Sequence, residues 1–161
     1  MRLAGIVLDS IVDGPGIRDV IFLQGCGHHC EGCHNPQTWD YNGGYHMFAN
    51  QVFEELRESD NDITISGGEP LDQYKSLISF LELIKTKTNK KVWLYTGNTI
   101  DLNQFIYTFL ARYVDVIVDG KFVKELKDDN LLFRGSSNQR IIDLKKSVNA
   151  NKIIEWCDTD E

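Results

Sequence analysis

Val20-Ile21-Phe22-Leu23-Gln24-Gly25-Cys26-Gly27-His28-His29-Cys30-Glu31-Gly32-Cys33-His34-Asn35-Pro36-Gln37-Thr38-Trp39 is a short apolar run that opens into a loop carrying three of the chain's four cysteines. The run reads as a strand, so the loop sits at a strand's carboxyl end. Cys26, Cys30 and Cys33 follow a C-x3-C-x2-C spacing. That spacing lets one loop wrap three thiolates around a single inorganic centre, and Gly25, Gly27 and Gly32 give the backbone freedom to bend so tightly. Thiolates are soft ligands, suited to zinc or to iron-sulfur clusters. A closed structural site normally takes four protein ligands, so three sulfurs leave one coordination position free. The alternative is a zinc site completed by His28, His29, His34 or Cys157. The paired ligand spacing of zinc loops is absent, however, and Cys157 reads as a free thiol.

Outward from this loop the chain alternates between strands and helices. Upstream, the apolar run Leu3 to Leu8 is followed by a turn at Asp13-Gly14-Pro15-Gly16. Downstream, Phe48, Val52, Phe53 and Leu56 recur with helical spacing, and Ile63-Thr64-Ile65 reads as a buried strand that stops at Ser66-Gly67-Gly68-Glu69-Pro70. Tyr74, Leu77, Ile78, Leu81 and Ile84 fall on one helical face, and the strand Val92 to Tyr95 ends at Thr96-Gly97. A third stripe, Leu102, Phe105, Ile106, Phe109, Leu110 and Tyr113, takes Asp101 as its N-cap, before Val116-Ile117-Val118 ends at Asp119-Gly120. This alternation predicts an α/β fold with a mostly parallel sheet. A closed eight-unit barrel uses about 250 residues, so the chain has room only for a partial, open (β/α) barrel or a short doubly wound sheet. In both, chemistry gathers at the carboxyl ends of the strands. The cysteine loop, Ser66 to Pro70, Thr96-Gly97 and Asp119-Gly120 all fall there, which predicts one shared site.

The 161 residues, 42% of them hydrophobic, suffice for one domain spanning residues 1–161. With a net charge of -7 the chain lacks the clustered positive charge of a nucleic-acid surface, so proteins are the expected macromolecular partners. No apolar run approaches the roughly 20 residues of a membrane span, and Met1 to Asp9 lacks the pattern of a signal peptide. The expectation is a cytoplasmic protein whose cysteines are ligands or free thiols rather than disulfides.

Other motifs have ordinary structural readings as well as functional ones. Gly67-Gly68-Glu69-Pro70 can simply end a strand and turn the chain. It can also bring backbone close to a ligand and offer the Glu69 carboxylate to an ammonium group. Arg134-Gly135-Ser136-Ser137-Asn138-Gln139-Arg140 reads as an exposed polar turn, or as a site for a cofactor carboxylate or a partner loop. His28 and His29 read as loop-surface residues, and Trp39, Trp93 and Trp156 as core or half-buried aromatics.

The cysteine spacing followed by Gly-Gly-Glu-Pro resembles the radical S-adenosylmethionine superfamily. Asp13-Gly14-Pro15-Gly16-Ile17-Arg18, Cys33-His34-Asn35-Pro36 and Thr38-Trp39 resemble its glycyl-radical-enzyme activases. Within these, Val116 to Phe122 and Arg134 to Arg140 are similar to the group that serves the anaerobic ribonucleotide reductase. The resemblance implies a partial barrel in which Cys26, Cys30 and Cys33 hold a 4Fe-4S cluster whose fourth iron is chelated by S-adenosylmethionine. It implies that Gly67, Gly68 and Glu69 receive the methionine ammonium and that Gly32, Cys33 and His34 line the ligand, with Tyr95, Thr96 and Asn138 as further contacts. The implied activity is reductive cleavage of S-adenosylmethionine to a 5'-deoxyadenosyl radical that takes a hydrogen from a glycine of the reductase. A low-potential donor such as flavodoxin would supply the electron. The superfamily commonly has an aromatic residue where this chain has Gly32, so another wall holds the adenine. The same superfamily also contains pyruvate formate-lyase activases and enzymes acting on small molecules.

Overall fold

The computed structural model describes residues 1–158. Seven strands form one open mixed sheet: β1 (Arg2–Ser10), β2 (Arg18–Leu23), β3 (Tyr45–His46), β4 (Asp62–Gly67), β5 (Val92–Tyr95), β6 (Val116–Asp119) and β7 (Arg140–Asp143). Their order is β3-β1-β2-β4-β5-β6-β7. The central four, β2, β4, β5 and β6, are parallel, and β1, β3 and β7 add antiparallel edges. The helices α1 (Ala49–Leu56), α2 (Tyr74–Lys87) and α3 (Phe105–Leu110) are the crossovers of the parallel strands, and α4 (Leu144–Ala150) follows β7. Among the described residues no helix is long and apolar enough to cross a membrane.

Alternation along the strands divides the sheet into two faces. One face carries Ile21, Leu23, Ile63, Ile65, Val92, Leu94 and Ile117, which pack with Val52, Leu56, Leu77, Phe80, Leu81 and Leu110 of the helices to form the main core. The other face carries Arg18, Thr64, Trp93, Val116 and Val118, all buried. There the rings of Trp93, Phe133 and Trp156 meet edge to face, with centroids 5.0 Å apart between the two tryptophans. Trp39 and Trp156 are half-buried and Trp93 is buried, in keeping with their sequence reading. Arg18 is 1% exposed and is satisfied by Thr64 Oγ1 and Ile63 O, both at 2.7 Å, and by the carboxylate of Asp62.

Three features depart from the sequence reading. The third helix begins at Phe105 rather than after Asp101, because the Asp101 side chain accepts from the N–H of Asn103 and closes a local turn. The strand β7 and helix α4 lie where the sequence reading assigns no strand or helix. The segment Arg134 to Arg140 is not a free polar turn, since Ser136 is fully buried and the Gln139 amide accepts from Gly135 and Ser136 while donating to Gly120 O.

Candidate active site

All four parallel strands end at the same edge of the sheet, and the turns that follow them meet in one cleft. Its walls include Cys26, Cys30, Cys33, Ser66, Gly67, Gly68, Tyr95, Thr96, Gly97 and Gly120. The convergence expected from the strand ends is therefore present.

The base of the cysteine loop is sewn to the end of β4 by backbone hydrogen bonds. Gly68 N–H donates to Leu23 O at 2.7 Å and Glu69 N–H to Gly25 O at 2.8 Å. Gly25 and Cys26 in turn donate to Thr38 O and Trp39 O, closing the loop across its neck. The buried Gln24 side chain bridges the same neck by donating to Gln37 O and Asp40 O. This closeness explains the glycines: a Cβ on Gly68 would lie 2.2 Å from Gly25 O, and one on Gly67, at φ +102°, would lie 2.3 Å from Leu23 N.

Cys26 is buried and Cys30 and Cys33 are half-buried; none is in a disulfide. Burial pushes the Cys26 thiol up, opposed by the neighbouring backbone N–H groups of His28 and His29. The N–H of Asn35 donates to Cys33 Sγ at 3.3 Å. Among the described residues, no three His, Cys, Asp or Glu side chains are gathered to the spacing of a single metal ion. Thiolates about 2.3 Å from one zinc ion stand within about 4 Å of one another, whereas a cubane distributes its thiolates over separate iron atoms. The donor set, three soft sulfurs on one wall of a cleft with a backbone N–H already on Cys33, fits a cluster better than a closed zinc site. Cys157 cannot complete it. That residue lines a separate cavity of about 560 Å³ beside Arg18, Asp62, Trp93 and Asp115, at the amino ends of the parallel strands.

Glu69 is 2% exposed and accepts four hydrogen bonds, from Leu71 N, Thr96 Oγ1, Gly97 N and His28 Nε2, at 2.8 to 3.0 Å. A carboxylate has about four acceptor sites, so this one is saturated by the protein itself. His28 is accordingly not a loop-surface residue: its ring is half-buried and reaches across the cleft wall, whereas exposed His29 stacks on Trp39 with centroids 4.7 Å apart. The buried indole N–H of Trp39 has no acceptor among the described residues.

Gly32 and His34 are exposed at the rim, with Gly32 at φ +74°. The space that Gly32 leaves adjoins the Phe122 ring, which lines the cleft and lies 5.3 Å from the His34 ring. Tyr95 lines the cleft and donates its hydroxyl to Phe133 O, and Thr96 lines it while its hydroxyl serves Glu69. Asn138 faces the adjoining depression of Gly97, Asn98, Asp119 and Arg140, and the side chain that reaches the cysteine cleft from this segment is Gln139. The sequence reading takes His28 as a loop-surface residue or a zinc ligand and passes over Phe122 and Gln139 as individual site residues. His28 bonds a residue 41 positions away, Gln139 one 19 positions away, and Phe122 packs beside His34 of the cysteine loop; no local spacing reports such contacts.

A family model described as a 4Fe-4S single cluster domain matches residues 12–142. The chain is 35% identical over 145 residues to the anaerobic ribonucleoside-triphosphate reductase-activating protein of Escherichia coli (strain K12), covering 84% of this chain and 94% of the relative. The chain belongs to the family of these activating proteins. Further members include that of Haemophilus influenzae, 32% identical across 82% of this chain and 91% of the relative, and that of Enterobacteria phage T4, 37% identical across 82% and 87%. The family match spans the cysteine loop and every parallel strand that feeds the cleft.

Proposed function

We infer that this chain is a radical S-adenosylmethionine enzyme that activates an anaerobic ribonucleotide reductase by placing a radical on one of its glycines. The observation that carries the reading is the meeting of three free cysteines, without a fourth, in one cleft at the carboxyl ends of the parallel strands. Cys26, Cys30 and Cys33 would hold a 4Fe-4S cluster, and the open sheet would be the partial (β/α) barrel of that superfamily. The chemistry supplied when cluster and S-adenosylmethionine are bound is one-electron cleavage to methionine and a 5'-deoxyadenosyl radical, which takes the glycine hydrogen.

The chain's own residues position and shield. Gly67 and Gly68 present bare backbone to the cleft for the methionine end of the ligand, and Gly32 to His34 line its rim. Because the Glu69 oxygens are engaged, its negative charge acts on the ligand ammonium from behind His28 rather than through a free oxygen. Thr96 serves the same network. Tyr95 forms the floor, Phe122 supplies the aromatic wall that Gly32 lacks, and Asn138 acts at the margin. A carbon radical must be kept from solvent, and the cleft is open on one side. A glycine loop of the reductase would cover it, since glycine has no side chain to hold its backbone away. A low-potential donor such as flavodoxin would deliver the electron at the exposed rim of the cysteine loop.

The test mixes reconstituted protein, reductant, S-adenosylmethionine and a reductase carrying α-deuterated glycine. A glycyl radical on the reductase and deuterium in the 5'-deoxyadenosine are expected. Deoxyadenosine without deuterium, and no protein radical, would move the target to a small molecule.

A further inference from the structure

A backbone N–H already rests on one of the three sulfurs: Asn35 donates to Cys33 Sγ at 3.3 Å. It can do so only while Asn35 is held at one angle. The N–H and the C=O of a residue belong to two rigid peptide planes joined by two soft dihedrals, so a grip on the carbonyl restricts the N–H as well. Asn35 has φ -125° and ψ +53°. A residue before proline ordinarily keeps to extended backbone with ψ of roughly +120 to +160°, and Pro36 follows, so local preference does not select the observed angle.

Thr38 selects it. Its N–H, at 2.9 Å, and its hydroxyl, at 2.7 Å, both donate to Asn35 O. The N–H bond alone closes the short turn Pro36–Thr38, in which each such bond spans three residues. The hydroxyl is therefore surplus to the turn: it occupies the second lone pair of the same carbonyl and fixes its direction. Thr38 is itself anchored, since it is 1% exposed in the wall of the cysteine cleft and its C=O accepts from Gly25 N–H at 2.7 Å in the neck of the loop. A continuous line of contacts thus runs from the neck through Thr38 and the Asn35 carbonyl to the N–H on Cys33 Sγ.

We propose that Thr38 is a positioning residue whose hydroxyl, through the Asn35 carbonyl, keeps the Asn35 N–H on the Cys33 sulfur and so raises the reduction potential of the group held by the three cysteines, a role that rests on Cys26, Cys30 and Cys33 being cluster ligands. One electron accepted from the donor adds a negative charge and neither makes nor breaks a bond. A hydrogen bond to ligand sulfur stabilises that added charge, so loosening it makes the cluster harder to reduce.

The experiment compares wild type, Thr38→Val, Thr38→Ala and Thr38→Ser after anaerobic reconstitution, measuring iron and sulfide content and then the midpoint potential by redox titration followed by electron paramagnetic resonance. Valine keeps the shape of the side chain without the donor, alanine removes the donor with less bulk, and serine keeps the hydroxyl while losing the methyl. The expected result is equal iron in all four, potentials shifted negative in Thr38→Val and Thr38→Ala, and a wild-type value in Thr38→Ser. Should Thr38→Val fail to hold iron, Thr38→Ala reads the same bond. A wild-type potential in whichever of these two holds the cluster overturns the proposal, as does a Thr38→Ser potential shifted as far as theirs. Iron lost from both while Thr38→Ser keeps it also overturns it, because the hydroxyl then builds the loop instead of tuning what the loop holds. Wild-type protein that takes up no iron-sulfur cluster sinks the ligand assignment instead, before any variant is compared.

Discussion

Arg140 grips Asp119 with two nitrogens, Nε donating to Oδ1 at 3.0 Å and Nη2 to Oδ2, and Asp119 is 1% exposed. The same carboxylate accepts from Ile100 N–H, so one side chain joins the end of β6, the start of β7 and the turn before α3. Its partner is correspondingly held above the usual arginine value by that hydrogen bond. Arg140→Ala leaves a buried charge half-compensated and is expected to cost about 2 to 3 kcal/mol, less than the roughly 3 to 5 kcal/mol of breaking a fully buried pair because Arg140 is itself a third exposed. Urea denaturation checks this, and the double variant Asp119→Asn with Arg140→Ala should lose less than the two single variants summed. An Arg140→Ala midpoint equal to wild type would contradict it.

Gly68→Ala should be among the most damaging small substitutions in the chain. The added methyl would meet Gly25 O at 2.2 Å, backbone against backbone, with no flexible side chain to yield. Relief requires parting the cysteine loop from the end of β4, which breaks the bonds from Gly68 and Glu69. A loss of about 3 kcal/mol or more is expected, along with the capacity to take up iron. Gly5→Ala is the control, since a Cβ there meets nothing within 4 Å, and it should be neutral or slightly stabilising. Thermal unfolding and iron analysis of the pair decide the matter.

These glycines also mark the limit of what the sequence discloses. The alternation of apolar runs located the four parallel strands and their crossovers, and the turns at the strand ends foretold that the cysteine loop, Gly67 to Glu69 and Thr96-Gly97 would share a cleft. Periodicity could not give the antiparallel direction of β1, and it overlooked β3, which is two exposed residues, Tyr45 and His46. It overlooked β7 because Ile141-Ile142 is too short an apolar run to register. Asp101 shows a different limit, since the same side chain suits a helix cap and a turn, and only the surrounding fold selects the turn. In the site, the residue types were legible and the pairings were not. Glu69 drew notice as a carboxylate for a ligand, whereas its four bonds go to residues 2 to 41 positions away.

Tyr95 makes a prediction about alkaline stability. Its hydroxyl donates to Phe133 O at 2.8 Å, and Phe133 itself sits at φ +58°, rare for a bulky residue. Tyr95→Phe leaves that carbonyl without its donor and should cost about 1 kcal/mol near neutral pH. Burial, followed by the charge of Asp13, holds the phenol above the ordinary tyrosine value. A group whose folded pKa is raised contributes its full stability below the unfolded value, about 10 for tyrosine, and loses it as pH rises beyond that point. Wild type should therefore lose stability above that pH faster than Tyr95→Phe, narrowing the gap between them. Denaturant titrations from neutral to alkaline pH, with tyrosinate absorbance followed in parallel, measure it; a gap that widens would mean the hydroxyl is not buried as described.

The cysteines give the most direct test of the site. Cys26, Cys30 and Cys33 line one cleft, and Cys157 lines a cavity at the other end of the parallel strands. Loss of any one of the first three leaves two thiolates, too few to hold a cubane that already has one iron without a protein ligand. Each of Cys26→Ala, Cys30→Ala and Cys33→Ala should therefore fail to retain iron and sulfide after anaerobic reconstitution, while Cys157→Ala retains both at the wild-type level. Binding requires thiolates, and Cys26 begins as a thiol pushed up by burial, so uptake should release protons and weaken as pH falls. Metal analysis with absorption spectra distinguishes the outcomes: iron lost on removal of Cys157, or stoichiometric zinc with no iron-dependent colour in wild type, would return the loop to the zinc reading.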